Sequence, residues 1–242
     1  VISTYGGDAL RIYLMGSPVM KGEDINFSND GLPEVTRGFL LILWNCYKYF
    51  VDYANIFGWT CTVAGVEDSR KRLTVLDRWM LSRLTELVLE LNKAQEKYDT
   101  VTTVKFLREF VVNDFSTWYI RRSRDRVANN SDEVDRNVCL SVLYGVLVGL
   151  TKLMAPLAPF ISDEMYINLA EDTSVHLMDY PKGDKSLLDA ELMEDMKVVR
   201  LIVEMGHAGR KEASIKLRQP LASVKYISKE KLDEELEKIV KD

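Results

Sequence analysis

Residues 133–154, EVDRNVCLSVLYGVLVGLTKLM, contain the longest apolar run of the chain, from Val138 to Leu150. Placed on a helix, this segment is apolar on most of its sides, which is typical of a helix at the centre of a bundle. The run is interrupted by Ser141 and is too short to span a bilayer. We therefore predict a buried core helix over residues 133–154 and no association with a membrane.

The segments before this helix also repeat with helical period. Apolar residues recur at steps of three and four along the first of them, and Gly58 follows it as a helix stop. Thr74 begins the next helix, with Asp77 three residues later in the arrangement of a capping box. The helices expected here cover residues 32–57, 74–96 and 100–126, with a polar break at 129–132.

The segments after the apolar helix are shorter and more mixed. Pro156 and Pro159 end that helix. The alternation of residues 221–227 favours a strand, but a lone strand has no partner, so we expect it to open a small α/β element. The other elements expected here are a helix at 160–169, a loop at 173–183, and helices at 188–211 and 229–241.

Long helices joined by short loops predict an all-α fold, an antiparallel helix bundle. We expect three parts: an N-terminal segment at 1–31, the bundle at 32–212, and the beginning of the α/β element at 213–242. Because Val1 already lies within a pattern, we expect the chain to be a piece of a longer protein.

Composition excludes several classes of function. The net charge is -5, so the chain will not coat nucleic acid unspecifically, and any contact requires a local basic patch. Three scattered cysteines without a CxxC pair argue against a zinc site or a disulfide framework, and we expect Cys46 and Cys139 to be buried thiols. We find no GxxxxGK[ST], GxGxxG, HExxH or GxSxG motif, and the carboxylates are spread along helix faces as solvated surface.

The strongest local feature is WYIRRSRDR at 118–126, which carries a net charge of +3. At about 100° per residue, Tyr119, Arg122 and Arg126 share one side of the helix, and Arg121 and Arg124 share another. Guanidinium groups suit phosphate oxygens, and Arg and aromatic planes suit stacking on unpaired bases. The alternative is that the arginines pair inside the bundle with carboxylates; the candidates are Glu109, Asp114 and Asp125. We expect Trp118 to pack in the core.

A second basic run, RKEASIKLR at 210–218, also carries +3. Arg210 and Lys211 lie at a helix end, where the helix dipole alone favours cations. Lys216 and Arg218 lie beyond that helix, so the dipole does not account for them.

At these residues the chain resembles the isoleucyl-tRNA synthetases, a family of class I aminoacyl-tRNA synthetases. WYIRRSRDR resembles the third-helix motif of their anticodon-binding domain, and KEASIKLRQPL at 211–221 resembles the motif after the last bundle helix. Further matches occur in the family's order: YGGDALRIYL at 5–14, SPVMKGEDINFS at 17–28, LDRWMLSRL at 76–84, LAPFISDEMYINL at 157–169 and SVHLMDYP at 174–181.

The resemblance implies that residues 1–31 contact the tRNA stem and that residues 32–212 form the anticodon-binding bundle. It implies a tRNA(Ile) partner, no DNA, a monomer and a cytoplasmic location. The tRNA contacts it implies are Tyr119, Arg121, Arg122, Arg124, Arg126, Arg210, Lys211, Lys216 and Arg218.

The family joins isoleucine to its tRNA with ATP and Mg²⁺. The HIGH and KMSKS motifs and the editing domain are absent from this sequence, so we expect the chain to bind without catalysing and to carry no cofactor or metal itself. Two alternatives stay open. One is the same domain of a valyl-tRNA synthetase, which typically lacks the RRSR and IKLRQPL runs. The other is a helical scaffold that binds no nucleic acid.

Overall fold

The computed structural model describes residues 2–25, 27, 31–127, 132–170, 174–227 and 231–241. Over these residues the regular structure is helical throughout, without a β-strand, which confirms the predicted all-α fold. The chain divides into two compact units, Val1–Leu188 and Asp189–Asp242. The boundaries predicted after residues 31 and 212 divide the chain by function and stay predictions.

Helices α1 to α10 belong to the first unit and α11 and α12 to the second. They are α1 (Ile2–Tyr5), α2 (Gly7–Met15), α3 (Gly31–Val35), α4 (Leu41–Phe57), α5 (Val63–Arg70), α6 (Val75–Glu96), α7 (Thr100–Glu109), α8 (Arg121–Val127), α9 (Glu133–Met154), α10 (Pro159–Ala170), α11 (Ala190–Glu212) and α12 (Glu234–Lys241). Two π-helical segments, Thr36–Leu40 and Phe110–Ile120, join α3 to α4 and α7 to α8. Short 3₁₀ turns occupy Pro18–Lys21, Val175–Leu177 and Lys185–Leu187.

Helix α9 is the central helix of the first unit. It contacts α4, α5, α6, α8 and α10, and side chains such as Leu140, Leu143, Leu147 and Leu150 have no exposed surface. By length and composition it could cross a membrane, with a mean hydropathy of 1.6 over its most apolar window, yet 61% of that window is buried inside the unit. Its apolar side chains are thus used in packing, and the predicted core helix over residues 133–154 is confirmed.

The predicted helix ends at Gly58 and Thr74 are confirmed. Gly58 adopts a left-handed conformation, with φ of 59°, that side chains with a Cβ disfavour, and Trp59 N–H then donates to the carbonyl of Ala54. At the start of α6, the Asp77 amide donates to Thr74 Oγ1 at 3.2 Å and the Thr74 amide donates to Asp77 Oδ2 at 2.9 Å. The two bonds satisfy amide groups that a helix start leaves without partners.

Helix α2 is hydrogen-bonded to the first turn of α10 and to the segment before it. Asp8 is buried and its Oδ2 accepts a hydrogen bond of 2.7 Å from the amide of Ile161. Arg11 donates to the carbonyls of Leu157, at 3.0 Å, and Pro156, at 2.9 Å. The N-terminal segment is therefore a packed part of the first unit.

Two elements differ from the sequence prediction. Helix α5 was not expected. Thr62 caps it by accepting a hydrogen bond from the amide of Gly65, but the helix is too short and too polar for its periodicity to stand out in the sequence. The strand predicted at 221–227 is wrong: this segment is irregular, and Leu221, Val224 and Ile227 are all exposed. A strand needs a neighbour to pair its backbone and bury one face, and no strand lies within the described ranges.

Some predicted features fall on residues outside the described ranges. These are most of the polar break at 129–132 and the first two residues of the helix expected at 229–241, which in the structure begins later, at Glu234.

Candidate nucleic-acid interface

The arginine-rich helix α8 follows a π-helical segment lined by aromatic rings. Phe110 and Phe115 stack with ring centroids 6.5 Å apart, and Phe115 and Tyr119 stack at 6.4 Å. The five-residue step from Phe110 to Phe115 fits the wider turn of a π-helix. These stacked and buried rings determine which side of α8 faces the bundle. The Tyr119 side chain points inward and has no exposed surface.

Arg126, at the end of α8, is held by two carboxylates from other helices. Its Nη1 and Nη2 donate to Asp77 Oδ1 and Oδ2 at 2.8 and 2.9 Å, and Nη2 and Nε also donate to Asp135. Tyr119 donates to Asp77 Oδ1 at 2.6 Å. The Asp77 carboxylate is fully buried, and only 15% of the Arg126 side chain is exposed. This network joins the start of α6, the end of α8 and the first turn of α9.

The network sets the charges of its members. Burial by itself would raise the pKa of Asp77, but the hydrogen bonds and charge of Arg126, with the hydrogen bonds from Tyr119 and Thr74, lower it below its usual value. Burial raises the pKa of Tyr119 well above its usual value. The network therefore contains a charged Asp77, a charged Arg126 and a neutral Tyr119 that can donate.

Tyr119 and Arg126 were predicted to contact tRNA, and the structure places both inside the bundle instead. Tyr119 is enclosed, and Arg126 is engaged by Asp77 and Asp135 rather than by Asp114 or Glu109. Asp114 instead receives a 2.9 Å hydrogen bond from Arg83. We therefore revise the interpretation of these two residues: their described contacts fit a structural role, since a phosphate would have to displace two carboxylates to reach Arg126.

The outward side of α8 carries the other arginines. Arg121 and Arg124 are exposed, three residues apart on one face of the helix. Arg122 is half-buried, and its guanidinium lies over the ring of Trp118, 4.1 Å from the centroid. Trp118 itself is buried, as predicted. On α8 the structure thus places two exposed arginines and one whose guanidinium lies over an aromatic ring.

The second basic run belongs to the second unit. Arg210, near the end of α11, donates to the carbonyls of Gln219, at 2.7 Å, and Lys216, at 3.3 Å. These bonds fold the following loop back towards the helix end. Lys211, Lys216 and Arg218 are exposed. Arg210 therefore shapes the loop, while the other three present their charges to solvent.

Other candidate chemistries find no support among the residues that the structure describes. No group of three or more His, Cys, Asp or Glu side chains there could hold a metal ion. Cys46 and Cys139 are buried, as expected, and burial raises the pKa of each thiol to about 11. Thiols of that kind are protonated at neutral pH and poor nucleophiles.

Comparison with known proteins agrees with the sequence analysis. A family model described as the anticodon-binding domain of tRNA ligase matches residues 77–226. Isoleucine–tRNA ligases from Protochlamydia amoebophila and Dehalococcoides mccartyi strain CBDB1 are each 39% identical over 94% of this chain. That of Chlamydia trachomatis serovar D is 37% identical over 99% of it. The chain spans only 22–23% of the length of these relatives.

Among solved structures, the LeuRS–tRNA–LeuAMS ternary complex of Agrobacterium radiobacter K84 gives a TM-score of 0.49 at 17% identity, covering 78% of this chain and 21% of that one. A likeness of that size does not establish a relationship. The family match, which covers more than half of the chain and includes both basic runs, does: the chain belongs to the anticodon-binding domain family of tRNA ligases.

Proposed function

We propose that this chain is the tRNA-binding part of an isoleucine–tRNA ligase and that it contacts the anticodon arm of tRNA(Ile). The observation that carries the proposal is the exposed arginine face of α8, on a helix whose other side is locked by Arg126, Asp77 and Asp135. The names of the similar ligases support the choice of isoleucine. The proposal assigns the chemistry with ATP and Mg²⁺ to parts of the ligase other than these 242 residues.

A fixed helix suits phosphate binding because it holds its cations at a set spacing. Side chains three residues apart on a helix have Cβ atoms about 5–6 Å apart, so Arg121 and Arg124 can engage neighbouring phosphates of one strand. Since Arg126 is neutralised internally, the rest of the run consists of the exposed Arg121, Arg124 and Asp125 and the half-buried Arg122, a net charge of +2. The attraction is therefore local within an acidic chain, which favours a shaped RNA over any polyanion.

Direct titration of the purified chain with a fluorescent stem-loop that carries an isoleucine anticodon tests the proposal. We expect binding that weakens with salt, by about 0.7 to 0.9 logs per log of salt for each phosphate that the chain neutralises. In the double variant Arg121→Ala with Arg124→Ala, that slope should decrease by about 1.4 to 1.8. No binding at low salt, or an unchanged slope in the double variant, would refute this role for α8.

A matched control is available on α7. Lys105 and Arg108 are cations three residues apart whose side chains are 67% and 43% exposed, so replacing both with Ala removes the same charge from another surface. That variant should bind the stem-loop like the unmodified chain. A stem-loop with a valine anticodon distinguishes the valyl alternative, and a scaffold would bind neither RNA.

A further inference from the structure

A small polar cavity opens in the first unit between the end of α4, the start of α5 and the first turns of α9. Its volume is about 280 Å³. The side chains that matter for its chemistry are Phe57, Trp59, Ser69, Glu133, Arg136 and Asn137. At the small end of the range for ligand pockets, this volume suits one planar group rather than a larger ligand.

Arg136 forms one side of this cavity in an unusual state. Its guanidinium lies over the ring of Phe57, with Cζ 4.0 Å from the centroid. Its Nε atom is buried and has no hydrogen-bond partner among the described residues. A buried donor without a partner is costly, so such atoms in proteins call for an explanation such as a role in binding a ligand.

The lining of the cavity also offers hydrogen-bonding groups. Ser141 donates to the carbonyl of Asn137 at 2.8 Å, which leaves Ser69 as the donor in the 3.0 Å bond between the two serine hydroxyls. The Ser69 oxygen therefore keeps the capacity to accept. The Asn137 amide, with both donor and acceptor atoms, lines the same space.

Taken together, these groups select the chemistry of the ligand. Glu133 also lines the cavity, which disfavours an anion such as a phosphate, and the surrounding hydroxyls and amide disfavour a purely apolar group. A nucleobase meets all the conditions, because it stacks on Arg and aromatic planes and exposes donors and acceptors along its edge. We propose that this cavity receives one extruded base of the bound RNA, with Arg136 and Phe57 as the stacking platform.

A row of aromatic rings on α4 leads to the cavity. From Tyr49 the rings continue along α4 to Tyr53, at 4.9 Å, and from Tyr53 to Phe57, at 6.3 Å. This row gives a bound RNA strand an aromatic surface that ends at Arg136. The inference rests on the proposed function and names a subsite of it.

An abasic scan tests the subsite. The purified chain is titrated with the isoleucine-anticodon stem-loop, intact and with each loop position in turn made abasic. We expect one abasic position to weaken binding roughly 5- to 150-fold, the range that stacking of a single base contributes. In the variant Arg136→Lys, which keeps the charge but loses the planar group, the same lesion should have little further effect.

Further variants separate the possible failures. In the Arg121→Ala, Arg124→Ala double variant the abasic penalty should persist, because those residues contact phosphates. Asn137→Ala serves as a second cavity variant if thermal unfolding shows that Arg136→Lys is misfolded. A flat scan, or a penalty of the same size in the cavity variants, overturns the subsite while the proposed function stands. Absence of binding to the intact stem-loop overturns both.

Discussion

Arg126 binds Asp77 as a two-pronged ion pair, with Nη1 2.8 Å from Oδ1 and Nη2 2.9 Å from Oδ2. Asp77 is also the third residue of α6 and completes the box that caps it, so a single carboxylate serves a helix start and a contact between helices. Asp135 extends the contact to α9. Arg126, which the sequence suggested as a contact for nucleic acid, therefore links α6, α8 and α9 through ion pairs.

Replacing Arg126 with Ala should destabilise the chain by about 3–5 kcal/mol, because it leaves the buried Asp77 carboxylate without its counter-charge. Arg124→Ala, which removes an exposed arginine two residues earlier, should change the free energy of unfolding by no more than about 1 kcal/mol. Urea denaturation of the two variants beside the unmodified chain measures both values. Equal, small losses would show that the buried pair contributes little.

The same pair predicts an acid-sensitive contribution to stability. The pKa of Asp77 is lower in the folded chain than the roughly 3.9 of an unfolded Asp, so folding is favoured by its ionised form. That contribution is complete above about pH 4 and is lost as pH falls through the folded pKa. Urea midpoints between about pH 2.5 and 6 should fall more steeply below pH 4 in the unmodified chain than in Asp77→Asn. Parallel curves would contradict the assignment.

Sequence periodicity grouped the residues of α8 correctly but could not orient them. It placed Tyr119, Arg122 and Arg126 on one side and Arg121 and Arg124 on the other; in the structure Tyr119 and Arg126 face inward and Arg122 is half-buried. With arginines on both sides, polarity gave no preference. The deciding factors were the π-helical segment before α8 and a carboxylate 49 residues away, and neither is local to the motif.

The caps and the core helix, by contrast, were predictable because their signals are local. Thr74 and Asp77 lie three residues apart, and α9 is apolar enough to be buried whatever its neighbours are. The cavity beside Arg136, in contrast, has no local signal in the sequence. It joins Phe57 to Arg136 across 79 residues, and only the fold reveals that the two side chains stack.

Ala variants of Trp118 and Arg122 should lose different amounts of stability, because the first removes core packing and the second a partly exposed charge. Trp118→Ala should cost about 3–5 kcal/mol, since it removes a large buried side chain. Arg122→Ala removes the half-buried cation over that ring, a contact worth about 0.5–1 kcal/mol at accessible sites. Chemical denaturation of both variants tests the difference. A loss above about 2 kcal/mol for Arg122→Ala would assign it a structural role like that of Arg126.

The purified chain should show no isoleucine-dependent exchange of pyrophosphate into ATP. The reason is that no ATP-binding motif occurs in its sequence. The assay compares the chain with a mock preparation from the same host, and a full-length isoleucine–tRNA ligase serves as the positive control. Exchange above the mock background, retained through repeated purification, would contradict the assignment of a binding role without catalysis.

In the second unit, Arg210 should control the order of the loop that displays Lys216 and Arg218. Its hydrogen bonds to the carbonyls of Lys216 and Gln219 hold residues 213–219 near the end of α11. In Arg210→Ala the amides of Ile215 and Gln219, which donate within this loop at 2.8 and 3.0 Å, should exchange their hydrogens faster.

Lys211→Ala is the matched control, because it removes a neighbouring exposed cation and should leave those exchange rates unchanged. Stem-loop titrations then distinguish the effect of the loop's conformation from the effect of its cations. If the loop contacts the RNA, Arg210→Ala should weaken binding, and so should the double variant Lys216→Ala with Arg218→Ala. Only the double variant should lower the salt slope by the value of two phosphates, about 1.4 to 1.8. Faster exchange without weaker binding would confine the RNA contacts to the first unit.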